Sequence, residues 1–218
     1  VGAYVKSGHT VYVEKGSGET SGFKDSAYVK KGAILLDDKA LVWKKSDMIV
    51  KVKEPLKSEY KYFRKNLIIY TYMHLAANKV LVDALVKKQV SSVAYETIKD
   101  ETGLPCLKPM SEVAGKLAVL EGARFLYKNN GGIGLLISGV TGVIPANVLI
   151  IGGGVVGRSA LDNAYGLKAN VTLLDINEKN LNALKEKYPN ITTYVSNEEN
   201  LISSLKKADI IISSVLLP

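Results

Sequence analysis

Short runs of apolar residues alternate along the chain with stretches whose apolar positions recur every three or four residues. This change of period predicts strands separated by helices. In the first half the predicted strands are 10–14, 33–36, 48–52, 67–73 and 91–95, and the predicted helices include 26–31 and 80–88. Because the strands are apolar at nearly every position, the pattern favours a parallel sheet with both faces covered.

The second half of the chain repeats this alternation after a break. A loop at 100–105 is followed by a long helical pattern at 113–127, which ends at the Asn-Asn-Gly-Gly segment 129–132. The later strands are predicted at 147–151, 170–175, 192–195 and 209–214, and the later helices at 155–166, 178–188 and 198–207. We therefore expect an α/β fold with two doubly wound, parallel-sheet (Rossmann-like) domains joined by a long helix.

We place the boundary between the two domains near residues 105–110, so that residues 1–107 form the first domain and 108–218 the connecting helix and the second. The chain begins at Val1 within an apolar pattern, and it stops directly after a predicted strand, where a doubly wound sheet normally continues. We therefore expect the first domain to lack its first strand and the second to be incomplete at its C-terminus.

Composition and charge change this picture little. The chain is 47% hydrophobic and 23% charged, as in ordinary globular proteins, and its net charge is +8. The lysines are scattered or paired, so solvated faces are favoured over a nucleic-acid surface, and no apolar run is long enough for a membrane helix. The single cysteine, Cys106, excludes an internal disulfide and fits a reducing compartment. It stands beside a proline without a basic partner in its motif, which favours a small buried filler over a nucleophile.

A glycine-rich segment after an apolar strand is the strongest motif. Residues 152–157 read Gly-Gly-Gly-Val-Val-Gly and fit the dinucleotide pattern G-x-G-x-x-G at Gly152, Gly154 and Gly157. Gly152 permits the tight turn, Gly154 lets the backbone approach a pyrophosphate, and Gly157 allows close packing of helix and sheet. Asp175 ends the next predicted strand, where a carboxylate binds ribose hydroxyls and repels the extra phosphate of NADP. The sequence therefore predicts an NAD site, with a glycine-rich turn that binds nothing as the alternative.

Two polar residues follow neighbouring strands in the first half. His74 comes directly after the strand 67–73, and Lys53 ends the strand before it, two positions after Lys51 on the same predicted face. In open α/β sheets ligands bind at the carboxyl ends of strands, where a histidine can exchange protons and a lysine can hold a carboxylate. The spacing alone leaves open a surface histidine and a solvated strand end. His9, in a turn, is interpreted as a surface residue.

Four segments together resemble bacterial alanine dehydrogenases. They read Lys-Val-Lys-Glu-Pro at 51–55, Tyr-Met-His-Leu-Ala-Ala at 72–77, Ala-Tyr-Glu-Thr at 94–97 and Pro-Met-Ser-Glu-Val-Ala-Gly at 109–115. They follow the family's order and spacing, and the resemblance covers nearly the whole chain. It implies NAD-dependent, reversible oxidative deamination of L-alanine to pyruvate and ammonia by a cytoplasmic homo-oligomer, typically a hexamer, with small-molecule ligands and neither nucleic acid nor membrane as a partner.

The resemblance also implies a role for each matching residue. In the first domain, the substrate domain, Lys53 would bind the substrate carboxylate or carbonyl oxygen and His74 would be the general acid and base. Met110 would line the substrate pocket. The NAD contacts would come from Ser111, Gly152, Gly154, Val155, Val156, Gly157, Asp175, Ser196, Val215 and Leu216.

The chain departs from the family at both ends. The family begins with a segment that carries a substrate-binding arginine, and it continues with an active-site aspartate and asparagine; both segments lie outside the 218 residues. We therefore expect this piece alone to be inactive or nearly so, which NADH production by the bare piece at full rate would contradict.

Three other interpretations remain open at this point. The chain could be the nucleotide-binding portion of a proton-translocating transhydrogenase, or a dehydrogenase for another amino acid such as saccharopine. It could also be a truncated, non-catalytic binding module. The motifs around Lys53 and His74 speak against the transhydrogenase, and alanine dependence of NAD reduction separates the dehydrogenases.

Overall fold

A computed structural model describes residues 1–215 and divides the chain into two compact units, Val1–Leu104 and Pro105–Pro218. Both units alternate strands and helices, as the apolar pattern predicts. Within residues 1–215, every pair of neighbouring strands in the three sheets is parallel. Within residues 1–215, none of the helices combines the length and the apolar character that crossing a bilayer requires.

The first unit builds its parallel strands into two separate sets. Its elements are α1 (Gly2–Lys6), β1 (Tyr12–Glu14), α2 (Asp25–Lys30), β2 (Ile34–Leu36), α3 (Lys39–Lys45), β3 (Met48–Val50), β4 (Ile68–Thr71), α4 (Lys79–Lys87) and β5 (Ser91–Ala94). Strand β1 pairs with β2, and β4 lies between β3 and β5. Ile69 of β4 is fully buried, as are Leu67 and Met73 at its two ends. The centre of this unit's core is therefore the strand that leads to His74.

The strands of the first unit are shorter than the apolar runs that predict them. The run 67–73 becomes β4, which ends at Thr71, and the left-handed backbone of His74 prevents any continuation of the strand beyond Met73. Helix α3 was not predicted. Its start is visible in the sequence as Asp38, whose carboxylate accepts a hydrogen bond from the backbone N–H of Ala40 at 2.8 Å. The helix buries Trp43 in the core.

The second unit is one four-stranded parallel sheet with helices between its strands. Its elements are α5 (Lys108–Phe125), β6 (Asn147–Ile151), α6 (Val155–Gly166), β7 (Asn170–Asp175), α7 (Glu178–Lys187), β8 (Thr192–Val195), α8 (Glu198–Leu205) and β9 (Ile210–Ser213). The strand order is β8-β7-β6-β9. The chain thus builds outward on one side of β6 and then crosses to the other. Such a reversal opens a crevice at the carboxyl ends of the strands, where ligands bind.

Helix α5 begins five residues earlier than its apolar pattern predicts. It starts at Lys108, with Pro109 in its first turn, because proline needs no hydrogen-bond acceptor there and its φ already suits a helix. Met110 and Ser111 therefore lie within the helix, ahead of its predicted start at residue 113. The helix packs tightly on α6, since a Cβ at Gly115 would overlap the carbonyl oxygen of Val156.

This contact predicts that replacement by alanine destabilises the protein at Gly115 but not at Gly166. We expect Gly115→Ala to lower the free energy of unfolding by about 1–3 kcal/mol, because the added methyl group must separate α5 from α6. Gly166→Ala is the matched control, since a Cβ at Gly166 meets nothing within 4 Å. The control should leave stability unchanged or raise it by up to about 1 kcal/mol. Urea titrations followed by circular dichroism measure both, and equal midpoints for the two variants would contradict the tight contact.

Candidate functional site

His74 follows the central strand of the first unit, three residues after its last residue Thr71, in an uncommon backbone conformation. Its φ and ψ are 48° and 40°, in the left-handed region that few residues other than glycine adopt. It begins a short 3-10 turn, Leu75–Ala77, and about half of its side chain is exposed. The chain thus turns sharply at the end of β4 and presents the imidazole at the carboxyl edge of the sheet.

Glu96, which follows the neighbouring strand β5, holds this turn. Its carboxylate accepts hydrogen bonds from the backbone N–H groups of Met73 at 3.0 Å and His74 at 2.8 Å. Partial burial acts to raise the pKa of the Glu96 carboxyl, but the N–H groups of Glu96, His74 and Met73 outweigh it and lower that pKa. The ionised carboxylate therefore stabilises the left-handed residue.

The imidazole of His74 is oriented by a second carboxylate. Its Nδ1 lies 3.3 Å from Oε2 of Glu54. Hydrogen bonds from the backbone N–H of Glu54 and from His74 lower the pKa of the Glu54 carboxyl, so the acid is ionised at neutral pH. Because Nδ1 faces Glu54, Nε2 is the ring nitrogen left to exchange a proton with a ligand.

The two lysines near Glu54 have different environments. Strand β3 ends at Val50, before both, so strand alternation does not set a common face as predicted. Lys51 donates to Glu59 at 2.6 Å, and Glu59 is only 4% exposed. Burial alone would raise the pKa of the Glu59 carboxyl, but Lys51 and a backbone N–H lower it. Lys51 is thus a structural partner.

Lys53 is fixed by its backbone and free at its side chain. Its carbonyl oxygen accepts a hydrogen bond of 3.0 Å from the hydroxyl of Thr71, at the end of β4. Its ammonium group is exposed and makes no hydrogen bond or ion pair with residues 1–215. Of the two lysines, Lys53 is therefore the one that can bind an anionic ligand.

The glycine loop of the second unit has the geometry that its sequence predicts. Gly152 has a φ of 97°, and a Cβ at Gly157 would overlap the carbonyl oxygen of Gly152. Gly154 is the N-cap of α6, with open space around it and no side-chain cap. The N–H groups of the first turn, from Val155 onward, can therefore hold a pyrophosphate, and the residues fit a dinucleotide.

Asp175, at the end of β7, is hydrogen-bonded to the glycine loop. Its Oδ2 accepts from the backbone N–H of Gly153 at 2.5 Å and from Nδ2 of Asn180 at 3.1 Å, and its Oδ1 accepts from the backbone N–H of Asn177 at 2.7 Å. Oδ2 thus has two donors already and Oδ1 has one, so Oδ1 is the oxygen with a lone pair left for a further donor. The carboxylate is thus preorganised where a ribose diol would be expected.

The other predicted cofactor residues of the second unit lie at the same edge of its sheet. Ser196 follows β8 and donates its backbone N–H to the carbonyl oxygen of Asp175 at 2.9 Å. Val215 follows β9 and is about half exposed beside Gly152. Leu216 lies outside the described residues. The structure therefore brings Ser196 and Val215 together with the glycine loop and Asp175.

Met110 and Ser111 are placed in the first turn of α5, in the second unit. Met110 is 37% exposed, and Ser111 is half-buried. Their contacts with substrate and cofactor remain predictions. No group of three or more residues among 1–215 has the side chains and spacing to hold a metal ion.

Sequence reasoning missed five residues that organise these clusters. Glu96 was quoted only within the motif at 94–97, although it holds the turn at His74. Glu54 was quoted only as part of a motif, although it stands next to Lys53. Arg158 and Asn180 connect the glycine loop to α7, and Ser214 donates its hydroxyl to the carbonyl oxygens of Ile151 and Gly152 at 2.9 Å each. Only Glu54 had a local signal, since a carboxylate beside a candidate lysine is visible in sequence.

Comparison with protein families matches both parts of the chain. The model described as "Alanine dehydrogenase/PNT, N-terminal domain" matches residues 1–114, and the model described as "Alanine dehydrogenase/PNT, C-terminal domain" matches residues 118–218. Together these matches cover nearly the whole chain.

Curated relatives are similar over the full chain but are longer. The chain is 45% identical to an alanine dehydrogenase of Methanococcus maripaludis over 220 residues and 47% identical to that of Bacillus subtilis over 219 residues. Both alignments cover 100% of this chain, but only 59% and 58% of the two relatives. The chain thus spans less than two thirds of their length.

Solved structures agree in fold. An L-alanine dehydrogenase superimposes with a TM-score of 0.92 at 41% identity, over 100% of this chain and 60% of the other. A transhydrogenase from Sinorhizobium meliloti superimposes with a TM-score of 0.78 at 24% identity, over 100% of this chain and 64% of the other. The second likeness concerns the fold alone.

The hydrogen bonds of Glu96 predict a pH-dependent loss of stability. The pKa of this carboxyl is lowered from 4.5 on folding, so its contribution is complete above that value and is lost as the pH falls through the folded-state pKa. We expect Glu96→Gln to lower the free energy of unfolding at pH 7 by about 1–3 kcal/mol and to weaken the further loss in acid.

Fluorescence of Trp43, the single tryptophan and a core residue of the same unit, reports this unfolding in urea. Glu101→Gln is the control, because Glu101 is exposed and has no hydrogen-bond partner among residues 1–215. An acid profile of Glu96→Gln that parallels the wild-type profile would exclude Glu96 as the titrating group.

Proposed function

The chain belongs to the alanine dehydrogenase/PNT family, and we propose that the whole protein is an NAD-dependent alanine dehydrogenase. It catalyses the reversible oxidative deamination of L-alanine to pyruvate and ammonia. The observation that carries the proposal is the pairing of His74 with Glu54 at the carboxyl end of β4. Lys53, next to Glu54 in sequence, has an exposed ammonium group without a partner among residues 1–215. An amino-acid dehydrogenase needs a proton carrier and a cation of this kind.

His74 is the general acid and base in this proposal. Oxidation of the amine and addition of water to the resulting imine both require proton transfer. Glu54 at Nδ1 keeps Nε2 toward the substrate and stabilises the imidazolium that forms. Glu96 acts through the backbone, since it fixes the turn from which the ring projects. His74 therefore moves protons, and the two glutamates position it.

Lys53 binds the substrate carboxylate or steadies the oxygen that becomes negative as water adds. A cation aimed at developing charge lowers the barrier more than one that holds the ground state alone. The hydrogen bond from Thr71 to the carbonyl of Lys53 fixes the base of this side chain, while Glu59 keeps Lys51 away. The two lysines thus have separate tasks.

The second unit holds the cofactor in this proposal. NAD, when bound, accepts the hydride from the α-carbon of alanine. The N-terminus of α6 receives its pyrophosphate, and Asp175 receives the ribose hydroxyls, with contacts from Ser111, Ser196 and Val215. We accordingly propose residues 1–107 as the substrate domain and residues 108–218 as the connecting helix and the NAD-binding domain. Met110 is proposed to line the substrate pocket.

The assembly and location of the whole protein are proposed on the same basis. Likeness to alanine dehydrogenases supports a cytoplasmic homo-oligomer, a hexamer, with L-alanine and pyruvate as ligands. The scattered lysines support the absence of a nucleic-acid partner.

The family also includes transhydrogenases, so a nucleotide-binding portion of such an enzyme is the second candidate. A glycine loop and Asp175 would serve either enzyme. The pairing of His74 with Glu54 beside Lys53 favours the dehydrogenase, because transfer of hydride between two nucleotides needs no proton carrier for an amine.

The activity of the full-length protein tests this assignment. We expect L-alanine-dependent formation of NADH at alkaline pH, and we expect His74→Ala to lower kcat by about 10²–10⁴-fold, the usual contribution of a general acid–base. Lys53→Met should mainly raise KM for alanine. The controls are His9→Ala, the only other histidine, and Lys57→Met, an exposed lysine nearby. NADH formation that is independent of alanine, or that persists in a folded His74→Ala variant, would rule out this mechanism.

A further inference from the structure

Arg158 reaches from α6 across the glycine loop to α7. Its Nε donates to the carbonyl oxygen of Gly153 at 2.9 Å, and its Nη2 donates to Oδ1 of Asn180 at 2.5 Å. The guanidinium is fixed from two sides, by the loop and by the first turn of α7. Neither Arg158 nor Asn180 belongs to the glycine motif itself.

The guanidinium determines which way the Asn180 amide points. Because Arg158 only donates hydrogen bonds, the amide oxygen must face it. The amide nitrogen then faces the opposite way, and Nδ2 donates to Oδ2 of Asp175 and to the carbonyl oxygen of Gly153, at 3.1 Å each. A flipped amide would oppose a donor to the guanidinium and an oxygen to the carboxylate. Arg158 thus acts on Asp175 through Asn180.

The Asp175 carboxylate accepts hydrogen bonds from three N–H groups, and these donors could also bind another oxyanion. The backbone N–H groups of Gly153 and Asn177 and the amide of Asn180 converge on it, at 2.5, 2.7 and 3.1 Å. A Cβ at Gly153 would overlap both Nδ2 of Asn180 and Oδ2 of Asp175, so a larger residue there would displace these two side chains. Without the carboxylate, these donors and the adjacent guanidinium would remain in place around an empty anion position.

We propose that Arg158 is a residue that determines nucleotide specificity, in two ways that depend on Asp175. With Asp175 present, Arg158 orients Asn180 and so holds the carboxylate that receives the ribose 2′-hydroxyl and repels a 2′-phosphate. With Asp175 replaced by a neutral residue, Arg158 is the cation that binds a 2′-phosphate on the same donors. The inference rests on the nucleotide-binding part of the proposed function and does not depend on alanine as the substrate.

The opposite charges of Asp175 and Arg158 explain why they would control the choice between NAD and NADP. A carboxylate at this position opposes a second anion, and an arginine near the ribose is the usual means by which such a loop accepts NADP. Here both groups are present, joined through one amide. Asp175 therefore excludes a phosphate that Arg158 could otherwise bind.

The test measures dissociation constants of the full-length protein for NADH and NADPH by nucleotide fluorescence, without alanine. The variants are Asp175→Ser, Arg158→Met and the double variant, with Asp175→Asn as a second, near-isosteric replacement. Lys185→Gln is the charge-matched control, an exposed lysine at the other end of α7.

We expect the wild type and Lys185→Gln to bind NADH more tightly than NADPH. Asp175→Ser should lower the ratio of the NADPH dissociation constant to the NADH dissociation constant by about tenfold or more, since the 2′-phosphate gains charged hydrogen bonds. Adding Arg158→Met should remove most of that gain. Arg158→Met alone should weaken NADH binding by a few-fold without improving NADPH binding. A purely structural arginine would change both nucleotides alike.

Equal NADPH affinity in Asp175→Ser and in the double variant, with folded proteins, would overturn the inference and leave NAD binding intact. A wild type that binds neither nucleotide would overturn the proposed cofactor and the inference with it. A wild type that prefers NADPH would overturn the role of Asp175 in excluding the phosphate.

Discussion

A carboxylate from a neighbouring strand accepts the backbone N–H groups that leave the sheet at the end of a central strand, and this interaction occurs in both units. In the first unit Glu96 receives the N–H groups of Met73 and His74. In the second, Asp175, at the end of β7, receives that of Gly153, which follows β6. At the carboxyl edge of a parallel sheet such donors have no strand to pair with, and an unpaired buried donor is costly. The carboxylates solve that problem and, in doing so, determine where each loop turns.

The same carboxylates stabilise backbone turns with positive φ at the ends of the central strands. His74 is left-handed and Gly152 has a positive φ, so both turns leave their strands abruptly. The abrupt turn brings the imidazole to the sheet edge in the first unit and exposes the N-terminus of α6 in the second. A group held this rigidly loses little freedom when a ligand binds, which is the advantage of preorganisation.

Charged residues close in sequence serve either structure or ligand binding, depending on the partners that each one contacts. Lys51 and Lys53 are two residues apart, yet Glu59 takes the first and leaves the second exposed. Asp175 and Arg158 have opposite charges within one hydrogen-bonded cluster, and Asn180 lies between them. Sequence motifs name the charged residues at such sites, but the partner of each one decides whether its charge remains available.

The sequence by itself determined the α/β alternation, the bounds of β6, β7 and β8 and the glycine loop, because these depend on local periodicity and on the special geometry of glycine. It also identified His74, Lys53 and Asp175 as candidates from their positions after strands. The tertiary structure decided the rest. Glu54 and His74 are 20 residues apart, and Arg158 and Asn180 are 22 apart. Contacts at such separations arise only when neighbouring parallel strands bring the helices and loops that follow them together, since no local period connects residues of different elements.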